Sequence, residues 1–288
     1  MNNSLYIVRD TPDKGKGMFA TQDIKRGTCI ISEAPLVFVS PIVPKTMLAL
    51  ETMSKKNKKY LLSLSNIYSE DEMPNVMGII KTNALPLGQD AEEGGVYRVI
   101  SRINHSCASN VRHTWNSRMQ KEYIHATEDI AAGDEIFTSY LATLMPRSER
   151  LKQLQEDFRF ECRCKLCTAA SSEDYDTTVT RINECSDLIL KYASSNPRKS
   201  IGYVREVLAL LDKAEIWGKT AFYYDGYQIS AMYGNYELAQ EWADLLLESH
   251  RLDEGEESDL YQRYLKYSMN PRSHERAGRG GYISLKGA

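Results

Sequence analysis

The sequence predicts an α+β protein of two parts: a β-rich first part interrupted by a helical insert, and an all-helical second part. Three observations predict it. Short β-branched runs separated by Gly and Pro lie on both sides of a stretch whose apolar residues fall three and four apart. The same helical spacing fills everything beyond Ala169, where the composition shifts to Ser, Asp and Thr. Between the two parts sits a Cys-x-Cys-x-x-Cys run, Cys162, Cys164 and Cys167. It supplies three thiolates, one short of the tetrahedral set of a structural zinc ion. Cys107, in the stretch Ser101-Arg102-Ile103-Asn104-His105-Ser106-Cys107, is the candidate for the fourth, and Cys185 is the alternative.

In chain order, Leu5–Arg9 is a β-rich run ended by the turn Thr11–Gly17, and Met18-Phe19-Ala20 resumes the extended chain. After the turn Asp23–Gly27, Thr28–Glu33 and Leu36–Val39 are short strands split by Pro35. From Pro44 the spacing of Met47, Leu48, Leu50, Met53, Tyr60, Leu61 and Leu64 is helical, with Lys55–Lys59 as a solvated face. A second helix is expected over Asn75–Ala84 and a loop over Gly88–Gly95. Strands return at Val111–Trp115, Tyr123–Ala126 and Ile136–Tyr140, with turns at Asn116-Ser117 and Ala131–Glu135. Helix resumes at Pro146, where Leu151, Leu154 and Phe158 share one face; Phe158 is read as a core residue. In the second part Val204, Val207, Leu208, Leu211 and Ala214 make one stripe, and Tyr224, Tyr227, Ile229 and Met232 another. Tyr233–Ala239 reads as a tight turn between antiparallel helices and resembles the inter-helix turn of tetratricopeptide repeats, without their period of about 34 residues. The Gly- and Arg-rich tail from Pro271 is expected to fray.

Composition narrows the function classes. With 288 residues there is room for two ordinary cores. A net charge of −3 and a pI near 6.0 argue against a protein that lives by neutralising phosphates, so no direct nucleic-acid binding is expected. No apolar run spans a bilayer and the first residues lack a basic leader with an apolar core, so neither a membrane protein nor a secretory signal is expected. Six Cys in such a chain read as thiols or metal ligands, which leaves Cys29 and Cys185 as expected buried, inert thiols.

Gly15-Lys16-Gly17, Asn104-His105-Ser106-Cys107, Gly133-Asp134-Glu135 followed by a strand ending in Tyr140, and Phe158-x-Phe160-Glu161-Cys162-x-Cys164-x-x-Cys167 occur in that order. Together they resemble the SET-domain protein lysine methyltransferases, most nearly the SMYD type, without a MYND zinc finger in the insert. The resemblance covers roughly the first 170 residues. It implies a knot-like arrangement of small β-sheets over residues 1–169, with an inserted helical segment at about 41–95 and a post-SET zinc segment at about 158–169; the apolar spacing beyond Ala169 adds a helical C-terminal domain over 170–288. The resemblance also implies S-adenosylmethionine as cofactor and a structural zinc held by Cys107, Cys162, Cys164 and Cys167. Lys14, Lys16 and Gly17 match the loop along the cofactor, and Asn83 matches the asparagine at its amino-acid end. Asn104 and His105 match the pair at its methionine and adenine parts, Phe160 the aromatic on the adenine, and Tyr140 the tyrosine beside the reacting methyl.

The reaction this implies asks little covalent help of a protein, because a sulfonium is already an activated donor and the work is alignment and water exclusion. The expected function is methyl transfer to a lysine amine of a protein, histone or other, in the nucleus or cytoplasm. Two other readings are an inactive SET scaffold for protein interaction, and a methyltransferase with a non-lysine or small-molecule acceptor. Retention of Asn104, His105 and Tyr140 together favours the enzyme.

Overall fold

The computed structural model describes residues 4–88, 91–142, 144–169 and 172–288. Residues 89 and 90 of the loop expected at Gly88–Gly95, and residues 170 and 171 at the expected boundary, lie outside the described residues. The chain divides into two compact units, residues 1–141 with 151–164, and residues 142–150 with 165–288.

The first unit begins with β1 (Tyr6–Asp10) and β2 (Lys16–Ala20), an antiparallel pair closed by the Thr11–Gly15 turn. β3 (Cys29–Glu33) and β4 (Val37–Val39) follow, separated at Pro35. The insert is α1 (Val43–Thr52), α2 (Lys55–Leu61) and α3 (Asn75–Asn83). It returns through β5 (Leu85–Pro86) and β6 (Gly94–Val96), so part of the expected loop is strand; β6 pairs with both β4 and β5. A turn of 3₁₀ helix at Ile100–Arg102 leads into β7 (Asn104–His105), then β8 (Val111–Asn116), β9 (Lys121–Ala126) and β10 (Glu135–Thr138).

Among the described residues three small sheets result, ordered β1-β2-β10-β7, β3-β9-β8 and β4-β6-β5. The first matters most for the site. β10 lies between β2, its antiparallel neighbour, and β7, its parallel one, so three segments far apart in sequence meet on one sheet. Met18, Ile100, Ile103, Ile124 and Ile136 are buried together beneath these strands. The insert has a core of its own, built on Val37, Leu50, Leu61, Ile79 and Val96.

One expectation fails in this unit. Cys29 is exposed, because a bulge between Cys29 and Ile31 shifts the register of β3 on β9 and sends Ile30 inward instead. Met47 and Leu48 are exposed as well; α1 buries Thr46 and Leu50, and the Thr46 hydroxyl donates to Ser40 O and accepts from Ser40 N.

α4 (Arg147–Phe158) starts in the second unit and ends in the first, and α5 (Lys165–Thr168) begins the return to the second. The second unit continues with α6 (Ser172–Tyr192), α7 (Pro197–Lys213), α8 (Thr220–Met232), α9 (Tyr236–Glu254) and α10 (Asp259–Met269). Asn196 caps α7 with Pro197 in its first turn, and Ser258 caps α10. Both expected stripes are buried in part: Val204, Val207 and Leu211 on α7, and Tyr227 and Ile229 on α8. The Cys185 thiol is buried in the same core, and burial together with Glu206 pushes its pKa up to about 11.

The tail does not fray. Gly278 and Gly280 donate their N–H groups to Ala231 O and Met232 O, the Asn235 amide donates to Ile283 O and accepts from Leu285 N, and Leu285 is fully buried. Its composition suggested mobility, but glycines also permit close backbone approach. Among the described residues no helix is long and apolar enough to cross a membrane.

Candidate active site

The parallel pairing of β7 with β10 sets Asn104 opposite Phe137 and His105 opposite Thr138. Asn110 reinforces it from outside the strands: its side chain donates to Glu135 O and accepts from Phe137 N, acting as one more rung of the ladder. Upstream, the Glu33 carboxylate accepts from the N–H groups of Arg98, Val99 and Ile100 and so caps the 3₁₀ turn that leads into β7.

At the edge shared by β2, β10 and β7 a polar group assembles. Glu135, with only 12% of its side chain exposed, accepts from Asn104 Nδ2 at 2.8 Å and from Lys14 Nζ at 2.8 Å. Asn104 Nδ2 also donates to Lys16 O, which commits both amide hydrogens and leaves Oδ1 as the amide's acceptor. Lys14 stands over the Phe137 ring at 4.7 Å. Gly17 is required here by space: a Cβ would lie 2.6 Å from Glu135 Oε1 and 2.9 Å from Asn104 Nδ2. Lys16 contributes its carbonyl to this group, while its ammonium pairs with Asp10 at the exposed edge of β1 and β2.

An aromatic group lies one residue further along. His105 is buried, and its Nδ1 accepts from Tyr140 N–H at 2.9 Å. The Tyr140 ring lies 5.2 Å from His105, 4.9 Å from Phe158 and 6.4 Å from Phe160, and Phe160 lies 5.9 Å from His105. Phe158, read as a core residue by its helical spacing, thus packs on Tyr140. The Tyr140 hydroxyl donates to Ile103 O at 3.0 Å. Burial, helped by the Glu135 charge, pushes its pKa up to about 12, so the phenol stays neutral.

Phe160 follows Arg159, whose φ of +59° turns the chain between the two phenylalanines. The Arg159 guanidinium grips the Glu72 carboxylate at 2.9 and 2.5 Å, donates to Ile67 O and lies over the Tyr68 ring. This exposed pair, with the Ser69 N–H, holds the Glu72 pKa down to about 2. Asn83 lies at the end of α3. Its Nδ2 donates to Ser65 O and Ile79 O, and its carbonyl accepts from Ser101 Oγ, which links the insert to the stretch before β7.

The four cysteines 107, 162, 164 and 167 come together with all Sγ atoms within 4.8 Å of one another. Cys107 and Cys162 are 3.9 Å apart, against a tetrahedral edge of about 3.8 Å for thiolates bound to zinc at about 2.3 Å. The donor set and spacing fit zinc. The Arg147 guanidinium donates to Cys167 O and steadies the last of the four. His105 Nε2 lies 3.3 Å from Cys107 Sγ, so the imidazole touches both the aromatic group and the thiolate cluster.

Small sheets, one of which sets β10 between β2 and β7, a neutral tyrosine packed on His105, and a four-cysteine cluster define a class. The SET-domain profile matches residues 15–141. Along nearly its whole length the chain is similar to a fission yeast (Schizosaccharomyces pombe) protein, histone-lysine N-methyltransferase set5, with 32% identity over 283 residues, 94% of this chain and 85% of the relative. The chain belongs to the SET-domain family. It is also similar to zebrafish (Danio rerio) N-lysine methyltransferase SMYD2-B, 38% identical over 27% of this chain and 18% of the relative, and to human SMYD2, 32% identical over 32% and 20%. The chain therefore matches only about a fifth of the length of these SMYD2 relatives. The insert of this chain contains no cysteine.

Residue types alone did not single out Glu135, Glu33 or Arg159. Each is a charged residue at a strand or turn, where a solvated face is the ordinary expectation; only the partners reveal the work.

Proposed function

We propose that this chain is an S-adenosylmethionine-dependent protein-lysine N-methyltransferase, with residues 1–169 as the catalytic domain and 170–288 as a helical accessory domain. The observation that carries the reading is Tyr140. Its hydroxyl proton is committed to Ile103 O and its oxygen is neutral, while His105 and Phe160 pack about it and the Asn104–Glu135–Lys14 group stands at the neighbouring strand edge.

S-adenosylmethionine, when bound, supplies a methyl group activated by its sulfonium. The Lys14 ammonium suits a carboxylate, the Asn104 Oδ1 suits an ammonium, and Phe160 offers a face for an adenine ring, so the donor set fits the two ends of that molecule. Gly17 and Lys16 give the loop its backbone and its close approach, and Asn83 ties the insert to the stretch before β7. The Tyr140 oxygen accepts an N–H of the incoming lysine amine and turns the amine's lone pair toward the methyl; it is an orienting group, not a base. Cys107, Cys162, Cys164 and Cys167 would hold the zinc as its four ligands, and a metal so held would serve structure and not the transfer. The acceptor is a lysine-bearing protein, histone or other, met in the nucleus or cytoplasm.

The test is incubation of the chain with methyl-labelled S-adenosylmethionine and a proteome extract, followed by amino-acid analysis of the labelled proteins. Label is expected in methyl-lysine and should fall about 10²-fold or more when Tyr140→Phe replaces the wild type. Label confined to other residues or to small molecules, or none at all, would overturn the reading.

A further inference from the structure

Both nitrogens of the His105 ring face defined atoms, and together they fix where its proton is. The Tyr140 backbone N–H can only donate, and it points at Nδ1 from 2.9 Å, so Nδ1 must offer a lone pair. A ring with a bare Nδ1 is neutral and carries its proton on Nε2. That nitrogen lies 3.3 Å from Cys107 Sγ, whose thiolate form is an acceptor. The imidazole is buried and lies between the Tyr140 and Phe160 rings, tilted against them at 48° and 58°, so it has little freedom to turn. It therefore spans two groups that are 33 residues apart in sequence (140 − 107) with two hydrogen bonds of opposite sense.

We propose that His105 is a positioning residue: it donates from Nε2 to the Cys107 thiolate and accepts at Nδ1 from Tyr140 N–H, and so sets the Tyr140 backbone by reference to the thiolate cluster. The inference rests on the methyltransferase reading for its importance. Its geometry does not require it. The cluster holds the loop from Asn104 to Cys107 at one end, and the imidazole transmits that position to the residue whose phenol orients the acceptor. The N–H donated to sulfur also draws charge from the thiolate and orients the Cys107 side chain, which slows its departure from the metal; partners just outside a metal's ligands commonly change affinity by about 10- to 100-fold.

Two substitutions separate the two halves of the span. In His105→Gln the side-chain N–H₂ reaches the place of Nε2 and still donates to Cys107, but nothing stands at Nδ1. In His105→Asn the carbonyl oxygen stands at the place of Nδ1 and still accepts from Tyr140, but nothing reaches Cys107. The experiment uses the full chain loaded with zinc and measures two things: zinc release into a colorimetric chelator, and hydrogen exchange of the Tyr140 amide by NMR. His105→Gln should release zinc within a few-fold of the wild-type rate while the Tyr140 amide exchanges about tenfold faster, the loss of one ordinary hydrogen bond. His105→Asn should show the converse, a near-normal Tyr140 amide and zinc release about 10- to 100-fold faster. If both readouts move together in both variants, or if neither moves, the imidazole is only packing and the proposal falls. A long-range proton–nitrogen spectrum of the wild type tests it with no substitution: the proton must sit on Nε2 of His105, and a proton on Nδ1 overturns it. None of these readouts measures methyl transfer, so the proposal can fail while the methyltransferase reading stands, and the reverse.

Discussion

Gly17→Ala tests how tightly the polar corner of the site is built. The added Cβ would lie 2.6 Å from Glu135 Oε1, where ordinary contact begins at 3.4 Å, so the carboxylate must retreat by about 0.8 Å. Its hydrogen bond from Asn104 Nδ2 is 2.8 Å long, and a retreat of that size takes it to the limit of hydrogen bonding. The Cβ also lies 2.9 Å from Nδ2 itself, so Asn104 cannot follow. Losing a hydrogen bond to a charged group is worth about 1.5–3 kcal/mol. Expressed in binding, that is about a 10- to 100-fold weaker hold on the cofactor, because the Asn104 amide loses the partner that orients it. The assay is calorimetric titration of S-adenosylmethionine into the zinc-loaded chain, with circular dichroism to check the fold. Gly202→Ala is the control, since nothing lies within 4 Å of a Cβ there and alanine suits the interior of α7. It should bind normally and melt slightly higher. If Gly17→Ala binds the cofactor as the wild type does, the Glu135–Asn104 contact does not organise the site.

Three other outcomes follow from the same structure. Tyr140→Phe should lower turnover about 10²-fold or more while cofactor affinity changes by less than threefold, because the phenol oxygen, anchored on Ile103 O, serves the acceptor amine and not the hold on the cofactor; equal losses in both would contradict that division. Burial raises the Asp225 pKa to about 6, so its ionisation costs the folded state: the carboxyl's contribution is whole below pH 3.8 and is lost as pH rises through about 6. Asp225→Asn should therefore raise the melting temperature at pH 8, by no more than about 3 kcal/mol of stability, and leave it nearly unchanged at pH 4. Leu285→Ala should cost the helical unit about 2–5 kcal/mol in denaturant unfolding, since the side chain is fully buried; a cost below about 0.5 kcal/mol would mean that the tail is not seated.

How much of this was legible in the sequence depended on whether the chemistry was carried by residue type or by partners. The thiolate cluster was legible because three close cysteines lack a fourth and Cys107 sits beside the Asn104-His105 pair. Turns at Gly27, Gly133 and Gly234 were legible because glycine favours the left-handed region found at each. The exposure of Cys29 was not, since a bulge moves a side chain to the other face without any mark in local composition. Nor was the seating of the tail, where backbone N–H groups of Gly278 and Gly280 and the buried apolar side chain of Leu285 do the binding. Glu135 was visible as part of a motif, but its service to Lys14 and Asn104 depends on β10 lying between β2 and β7, a pairing that no local pattern specifies.

The measurement that tests the account most directly is zinc content against cofactor binding in the wild type, Cys107→Ser and Cys185→Ser. His105 precedes Cys107 by two residues and Phe160 precedes Cys162 by two, so the metal is the short physical link between two sides of the site. A structural zinc contributes on the order of 10 kcal/mol to local folding. The wild type and Cys185→Ser should each carry one zinc per chain and bind S-adenosylmethionine alike, whereas Cys107→Ser should lose both together. Retention of zinc and cofactor binding by Cys107→Ser, with loss of both in Cys185→Ser, would contradict the account.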